Sequence, residues 1–286
     1  MLSARGIKAR PRDLEVMIAH KPDLVELHCS LSDLRWKPER QYGLPLAVHV
    51  PEYAESGDLL DPASMDEPRR LAAEAVYVRT VESALEWGRA FCGVPRLVLH
   101  PGGATPENPD DSRKNRESRY EALGRTMLAM REAAGEHVDV LLENLPRSCW
   151  FYGGAWKANI ILGGRELAEI GQRFGVGVTL DICHLFQACS ELKLDFMEVL
   201  RAALPQTRHV HYSDSIGTEG EGLQIGEGTL PLAEAFLHMD TAFRGREVYA
   251  VPEIWFGHEC GGRAFVQAWA KMDELMGGIP MEGKIG

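Results

Sequence analysis

The chain has 286 residues, with 31 Lys and Arg against 42 Asp and Glu, for a net charge of −11. Its 45% hydrophobic and 26% charged content is ordinary globular composition, which excludes disordered, collagen-like and disulfide-scaffold chains. No apolar run approaches the roughly 18 residues a membrane span needs, Met1–Gly6 lacks a signal-peptide core, and six cysteines without a CxxC spacing read as reduced thiols, so a cytoplasmic protein is expected.

In chain order, the first strand candidate is the weak run Leu2–Ile7, followed by a helix over Pro11–His20. Leu24–His28, Pro45–Val50, Arg96–His100, Val138–Glu143, Val176–Asp181, Arg208–Tyr212 and Glu247–Ile254 are near-continuous apolar runs, each with a polar residue at or near its C-terminal end. Such runs mark strands covered on both faces, as in a parallel sheet. Between them, apolar residues at helical spacing predict helices over Leu71–Phe91, Tyr120–Ala134, Arg165–Phe174, Leu194–Leu204, Leu232–Met239 and Ala264–Met276. Gly93, Gly135 and Gly175 stand where C-caps are expected. Asn108–Glu117 reads as a mixed-charge solvated loop. No GxGxxG or GxxxxGK[ST] opens a helix after a strand, which argues against an open doubly wound sheet. Eight β/α units in this length predict one α/β domain over residues 1–286, a (β/α)8 TIM barrel.

In such a barrel the active site is built at the C-terminal ends of the strands. Here those ends carry His28, His49, His100, Glu143, Asp181 with His184, His211 and Glu253. Five of the ten histidines fall there, where chance places about one if strand ends make up roughly a tenth of the chain. Carboxylates and imidazoles converging in an apolar-walled mouth repel or lose their charges unless a cation joins them. Mixed imidazole and carboxylate donors suit Zn²⁺, Mn²⁺, Fe²⁺ or Co²⁺. The strongest set is Glu143, Asp181, His211 and Glu253, one from each of the last four strands. Each glutamate can bind through one oxygen and act as acid or base through the other. The loop Pro146–Lys157 adds Trp150 and Trp156 as faces for a sugar, Arg147 and Lys157 for an anionic group, and Gly153-Gly154 as a lid hinge. The same aromatics could pack against a partner subunit in a homodimer.

The motifs LVLHPGG (97–103), LLEN (141–144), LDICHLFQA (180–188), VHYSDS (210–215), IGEG (225–228) and PEI (252–254) resemble endonuclease IV and the wider xylose isomerase-like TIM-barrel superfamily. The resemblance runs in order over nearly the whole chain. It implies one Mn²⁺ or Zn²⁺ ion held by Glu143, Asp181, His211 and Glu253, with the two glutamates shuttling a proton. In the endonuclease IV branch it implies further zinc ligands at His49, His100 and His184. The chain departs from both branches. The Asp-x-His pair that gives endonuclease IV its third ion falls on Gly220 and Gly222, with only Glu219 and Glu221 to compensate. The arginine that ketose epimerases place six residues after the metal histidine is Gly217.

The expected function is a divalent-metal-dependent isomerase or epimerase of a sugar-like small molecule, working through a metal-stabilised enediolate. Glu143 and Glu253 move the proton, His184 holds a hydroxyl, and His28, Arg147, Trp150, Trp156 and Lys157 bind substrate. The alternative is a zinc phosphodiesterase with a second ion on His49 and His100. A lyase using the same enediolate, or a barrel that binds without turnover, ranks below both. The acidic balance makes nucleic acid an unexpected partner.

Overall fold

The computed structural model describes residues 4–106, 110, 112–152, 154–161 and 163–277. Eight parallel strands follow one another around the sheet in chain order: β1 Gly6–Ala9, β2 Leu24–His28, β3 Pro45–His49, β4 Cys92–Leu99, β5 Asp139–Glu143, β6 Gly177–Asp181, β7 Thr207–Tyr212 and β8 Tyr249–Pro252. The ring closes between its ends, where the Ala250 N–H donates to Ala4 O at 3.1 Å and Arg5 bridges Ala250. Around it lie α1 Leu14–Ile18, α2 Glu67–Gly88, α3 Arg113–Ala134, α4 Gly164–Phe174, α5 Ile182–Leu192, α6 Phe196–Ala203, α7 Leu232–Ala242 and α8 Arg263–Gly277. The fold is the TIM barrel the strand count predicts.

Side-chain alternation divides every strand into two registers. Ile7, Val25, Leu27, Val48, Leu97, Leu99, Val140, Leu142, Val178, Leu180 and Val210 face the helices and form the main core. The opposite register points into the barrel. Its floor is apolar, with Leu24, Ala47, Tyr249 and Val251 in one cluster. Above that floor the inner register turns titratable. The register pairs His28 with His49, and His211 with Asp181, on neighbouring strands.

Several boundaries differ from those expected. The first strand is Gly6–Ala9, not Leu2–Ile7; Leu2 and Ser3 lie outside the described residues. Lys8 interrupts the apolar pattern there because it faces inward, and that masks the strand. Helix α3 begins at Arg113, inside the expected loop 108–117, because Ser112 caps it by accepting the Asn115 N–H at 3.3 Å. The charges of that first turn pair outward, Arg116 and Arg173 with Glu166 and Glu117. Of that loop, residues 108, 109 and 111 lie outside the described residues, as does Gly153 of the expected hinge. Gly93 lies inside β4 and caps no helix, whereas Gly135 and Gly175 follow α3 and α4 at φ +53° and +65°. Helix α5 has no counterpart among the helices expected from the sequence.

Candidate active site

The carboxyl end of the barrel opens into a cavity of about 400 Å³. Glu143 ends β5 beneath it, fully buried. Glu143 Oε1 lies 2.9 Å from His211 Nδ1, and Oε2 lies 3.3 Å from His49 Nε2 and 3.5 Å from His100 Nε2. Glu253, just past β8, brings Oε1 to 3.2 Å from the same His211 Nδ1, and it also pairs with Lys8. Asp181 ends β6 and caps α5, accepting the His184 N–H on Oδ1 at 2.7 Å, which leaves Oδ2 toward the site. Donor atoms of Glu143, Asp181, His211 and Glu253 lie within 4.8 Å of one another, and so do those of His49, His100 and Glu143. The strand ends the sequence singled out therefore converge on one place.

The charges of these groups are tightly coupled. Burial opposes ionisation of Glu143, but His211 and His100 outweigh it and hold its carboxyl well below the usual range. Burial, reinforced by the charge of Glu143, pushes Asp181 up despite His184. Burial works against protonation of His211, yet Glu143 and Glu26 raise it to about 9. His184 rises to about 10 in the same way, with Asp181 and Glu221 overcoming burial. His49 behaves oppositely, because burial lowers it and the ring stays neutral. Its Nδ1 must donate to Val50 O at 3.0 Å, since a carbonyl only accepts. The lone pair on Nε2 then faces Glu143 Oε2, an oxygen without a hydrogen bond. Two acceptors face to face are unfavourable, and a cation between them removes the repulsion.

His28, Trp150 and His184 line the cavity. Arg147, Trp156 and Lys157 do not. The loop that carries them is a β-hairpin, Ser148–Phe151 paired with Gly154–Ala158, and Ala104–Thr105 adds a third strand. Arg147 donates to Ala158 O at 2.7 Å, buried in the hairpin. Lys157 pairs with Glu191 of α5 at 2.8 Å. Trp156 packs on Phe151 and Tyr152. The expected mobile lid is thus a small three-stranded sheet, because alternation brings Cys149 and Phe151 into an apolar cluster with Leu59, Leu145 and Ala158.

Lys8, Glu52, Glu221, Trp255, Phe256 and His258 also line the cavity, and Glu26 and His209 lie below it. Of these, only Glu221 was placed near the site by sequence. A usable signal existed for two: Glu26 and His209 sit two residues before His28 and His211, in the same inward register. Glu52 meets His100 Nδ1 at 3.1 Å, and Glu221 meets His184 Nε2 at 3.5 Å. Trp255 lies over Gly222, whose φ is +72°; a Cβ there would stand 2.1 Å from Trp255 Cδ1.

A closed barrel of eight parallel strands with titratable groups gathered at its carboxyl end defines the class: a TIM barrel with an enzyme-like mouth. The chain belongs to the xylose isomerase-like TIM barrel family, whose model matches residues 37–258. The probable endonuclease 4 of Heliobacterium modesticaldum is 27% identical over 188 residues, a match spanning 63% of this chain and 59% of the relative. A D-tagatose 3-epimerase-like protein superposes with a TM-score of 0.67 at 20% identity, covering 95% of this chain and 97% of that one. Endonuclease IV from Thermus thermophilus superposes with a TM-score of 0.62 at 19% identity, covering 95% and 99%. At these identities the superpositions show a shared fold. Among the described residues no helix is long and apolar enough to cross a membrane.

Proposed function

We propose that the chain is a divalent-metal-dependent isomerase or epimerase acting on a sugar or sugar derivative. The observation that carries this reading is the convergence of Glu143 and Glu253 on one nitrogen of His211, beneath a cavity with aromatic walls. The residues fit a divalent ion of the zinc or manganese class. Asp181 and Glu143 are adjacent buried carboxylates whose repulsion a cation relieves, and imidazole completes the donor set. Glu143, Asp181, His211 and Glu253 would hold it. When bound, such an ion stabilises negative charge on a substrate oxygen.

One of Glu143 and Glu253 removes the proton beside the substrate carbonyl. The other delivers a proton to the opposite face, or to the adjacent carbon as that carbon's hydroxyl proton passes to the former carbonyl oxygen. His184, held by Asn144 O at 3.0 Å and by Glu221, takes a substrate hydroxyl. Trp150, Phe151, Trp255 and Phe256 cover the C–H faces of the ring and exclude water. The proposed setting is a cytoplasmic homodimer working on a small molecule.

The alternative, a zinc phosphodiesterase with two ions, is favoured by one observation: the facing acceptors of His49 and Glu143, with His100 beside them. One feature weighs against the three-ion form of endonuclease IV, and another against a nucleic-acid substrate. The places of the endonuclease IV Asp-x-His pair are Gly220 and Gly222, and the space above Gly222 is filled by the Trp255 indole. A net charge of −11 also opposes a polyanionic substrate.

The test combines metal analysis of protein purified without added metal with proton exchange. Ketoses and keto-sugars are incubated with the protein in D₂O, and loss of the α-proton signal is followed by NMR. One tight ion per chain is expected, lost in Asp181→Ala and His211→Ala, with exchange abolished in Glu143→Gln and Glu253→Gln. Two tight ions, one of them lost in His100→Ala together with hydrolysis of a nitrophenyl phosphodiester, would establish the hydrolase instead.

A further inference from the structure

We propose that Glu26 is a positioning residue that selects the coordinating nitrogen of His211, an inference that rests on the metal-centre reading above. Glu26 stands in the middle of β2 on the inner register, fully buried. A carboxylate is kept inside an apolar barrel only where partners offset its lost water. Its Oε2 lies 2.8 Å from His209 Nε2 and 2.9 Å from His211 Nε2. Lys8 Nζ lies 3.6 Å from the other oxygen. A carboxylate oxygen meeting two ring nitrogens accepts from both, so each ring turns an N–H toward it.

On His211 this keeps a proton on Nε2, while the other nitrogen, which faces carboxylates of the proposed ligand set, is the one that gives up its proton to an ion. That nitrogen, Nδ1, points to Glu143 Oε1 at 2.9 Å and Glu253 Oε1 at 3.2 Å. A histidine coordinates a divalent ion through an unprotonated nitrogen. Glu26 therefore holds the ring with the correct nitrogen in the donor set. The strand register explains why one carboxylate serves two rings. His209 and His211 are two residues apart on β7, face the same way, and stand with ring centroids 5.2 Å apart.

Glu26, His209 and His211 could gather around an ion of their own. None of these three lines the cavity through which an ion enters, whereas Asp181 and Glu253 of the neighbouring set do. The structure thus assigns Glu26 to the ring behind the ion.

The test titrates metal-free wild type, Glu26→Gln and Asp181→Ala with Co²⁺, following affinity by calorimetry and coordination by the visible spectrum. Loss of a carboxylate behind a ligating histidine weakens metal binding about 10–100-fold. That weakening, with shifted Co²⁺ bands in a Glu26→Gln protein of native circular dichroism, is the expected result. Wild-type affinity and an unchanged spectrum in Glu26→Gln, with binding lost in Asp181→Ala, would overturn the role of Glu26 and leave the metal centre standing. Equal Co²⁺ affinity in wild type and Asp181→Ala would instead remove the metal-centre reading, and this inference with it. Should Glu26→Gln fail to fold, a ¹H–¹⁵N spectrum of Zn²⁺-loaded wild type decides. A His211 proton on Nε2 upholds the assignment, and a proton on Nδ1 overturns it.

Discussion

Gly222 and Trp255 hold each other in place at the mouth: the Trp255 N–H donates to Gly222 O at 2.9 Å, and the indole covers the glycine. Any side chain at 222 meets two costs. The backbone there is left-handed, and strain in that region costs about 1–3 kcal/mol for a non-glycine residue. The added atoms must also displace the indole, which overpacking data put at about 1–3 kcal/mol. Gly222→His is therefore expected to lower stability by roughly 2–6 kcal/mol, read by urea denaturation, and to bind no additional zinc by metal analysis. A stable variant that gained an ion would show that the mouth can rebuild a third site. The sequence located the two glycines but gave Trp255 no role, because nothing in the chain links residue 222 to residue 255 before the barrel closes.

Among the elements, α2 and α3 are joined by a charge cluster. Arg70 of α2 is buried; it bonds both oxygens of Glu67 at 2.8 and 3.0 Å, pairs with Glu74, and donates to Thr126 Oγ1 of α3 at 3.1 Å. Arg125 of α3 reaches back to Glu67 at 3.0 Å. Removing Arg70 leaves Thr126 facing a void and frees the acids, so Arg70→Ala is expected to cost about 2–4 kcal/mol in chemical denaturation. Side-chain hydrogen bonds from Arg70, then from Arg125, lower the Glu67 carboxyl to about 2 against some opposing burial. A depressed carboxyl stabilises the fold above its unfolded value of 4.5, and that contribution disappears as pH falls toward 2. Glu67→Gln should accordingly show a smaller drop in Tm than wild type between pH 4.5 and pH 2, and identical slopes would refute the linkage. Elements of this kind were legible where apolar residues repeat at helical spacing. The start of α3 was not, because its charged first turn has loop composition.

At the scale of the whole molecule the barrel depends on one seam. Gly6 of β1 sits against β8, where a Cβ would stand 2.4 Å from Val251 Cγ2, and the Trp269 Nε1–H of α8 donates to Gly6 O at 3.0 Å. The seam also brings Lys8 beside Glu253 and Glu26. Gly6→Val should wedge the two strands apart, costing about 1–3 kcal/mol by urea denaturation and weakening metal binding by shifting Glu253. Unchanged metal affinity in a destabilised Gly6→Val protein would mean that the site tolerates movement at the seam.

The sequence alone determined the eight-fold alternation, the direction of the sheet and the strand-end set His28, His49, His100, Glu143, Asp181, His211 and Glu253, because a strand buried on both faces shows as an unbroken apolar run and its polar end stands out. It did not separate residues that face into the barrel from those that face the helices. Lys8, Glu26 and His209 were therefore unreadable as parts of one buried network, although Glu26 and His209 share the register of His28 and His211. Only the closed barrel decided those contacts. Its stagger, not the spacing along the chain, sets which inward side chains meet across the interior, and it brings β2 and β7 together around a single carboxylate. The hairpin over Ser148–Ala158 follows the same rule: Trp156 and Lys157 lie away from the cavity and Trp150 in its wall, while an apolar cluster joins the hairpin to the distant Leu59 and Ala104.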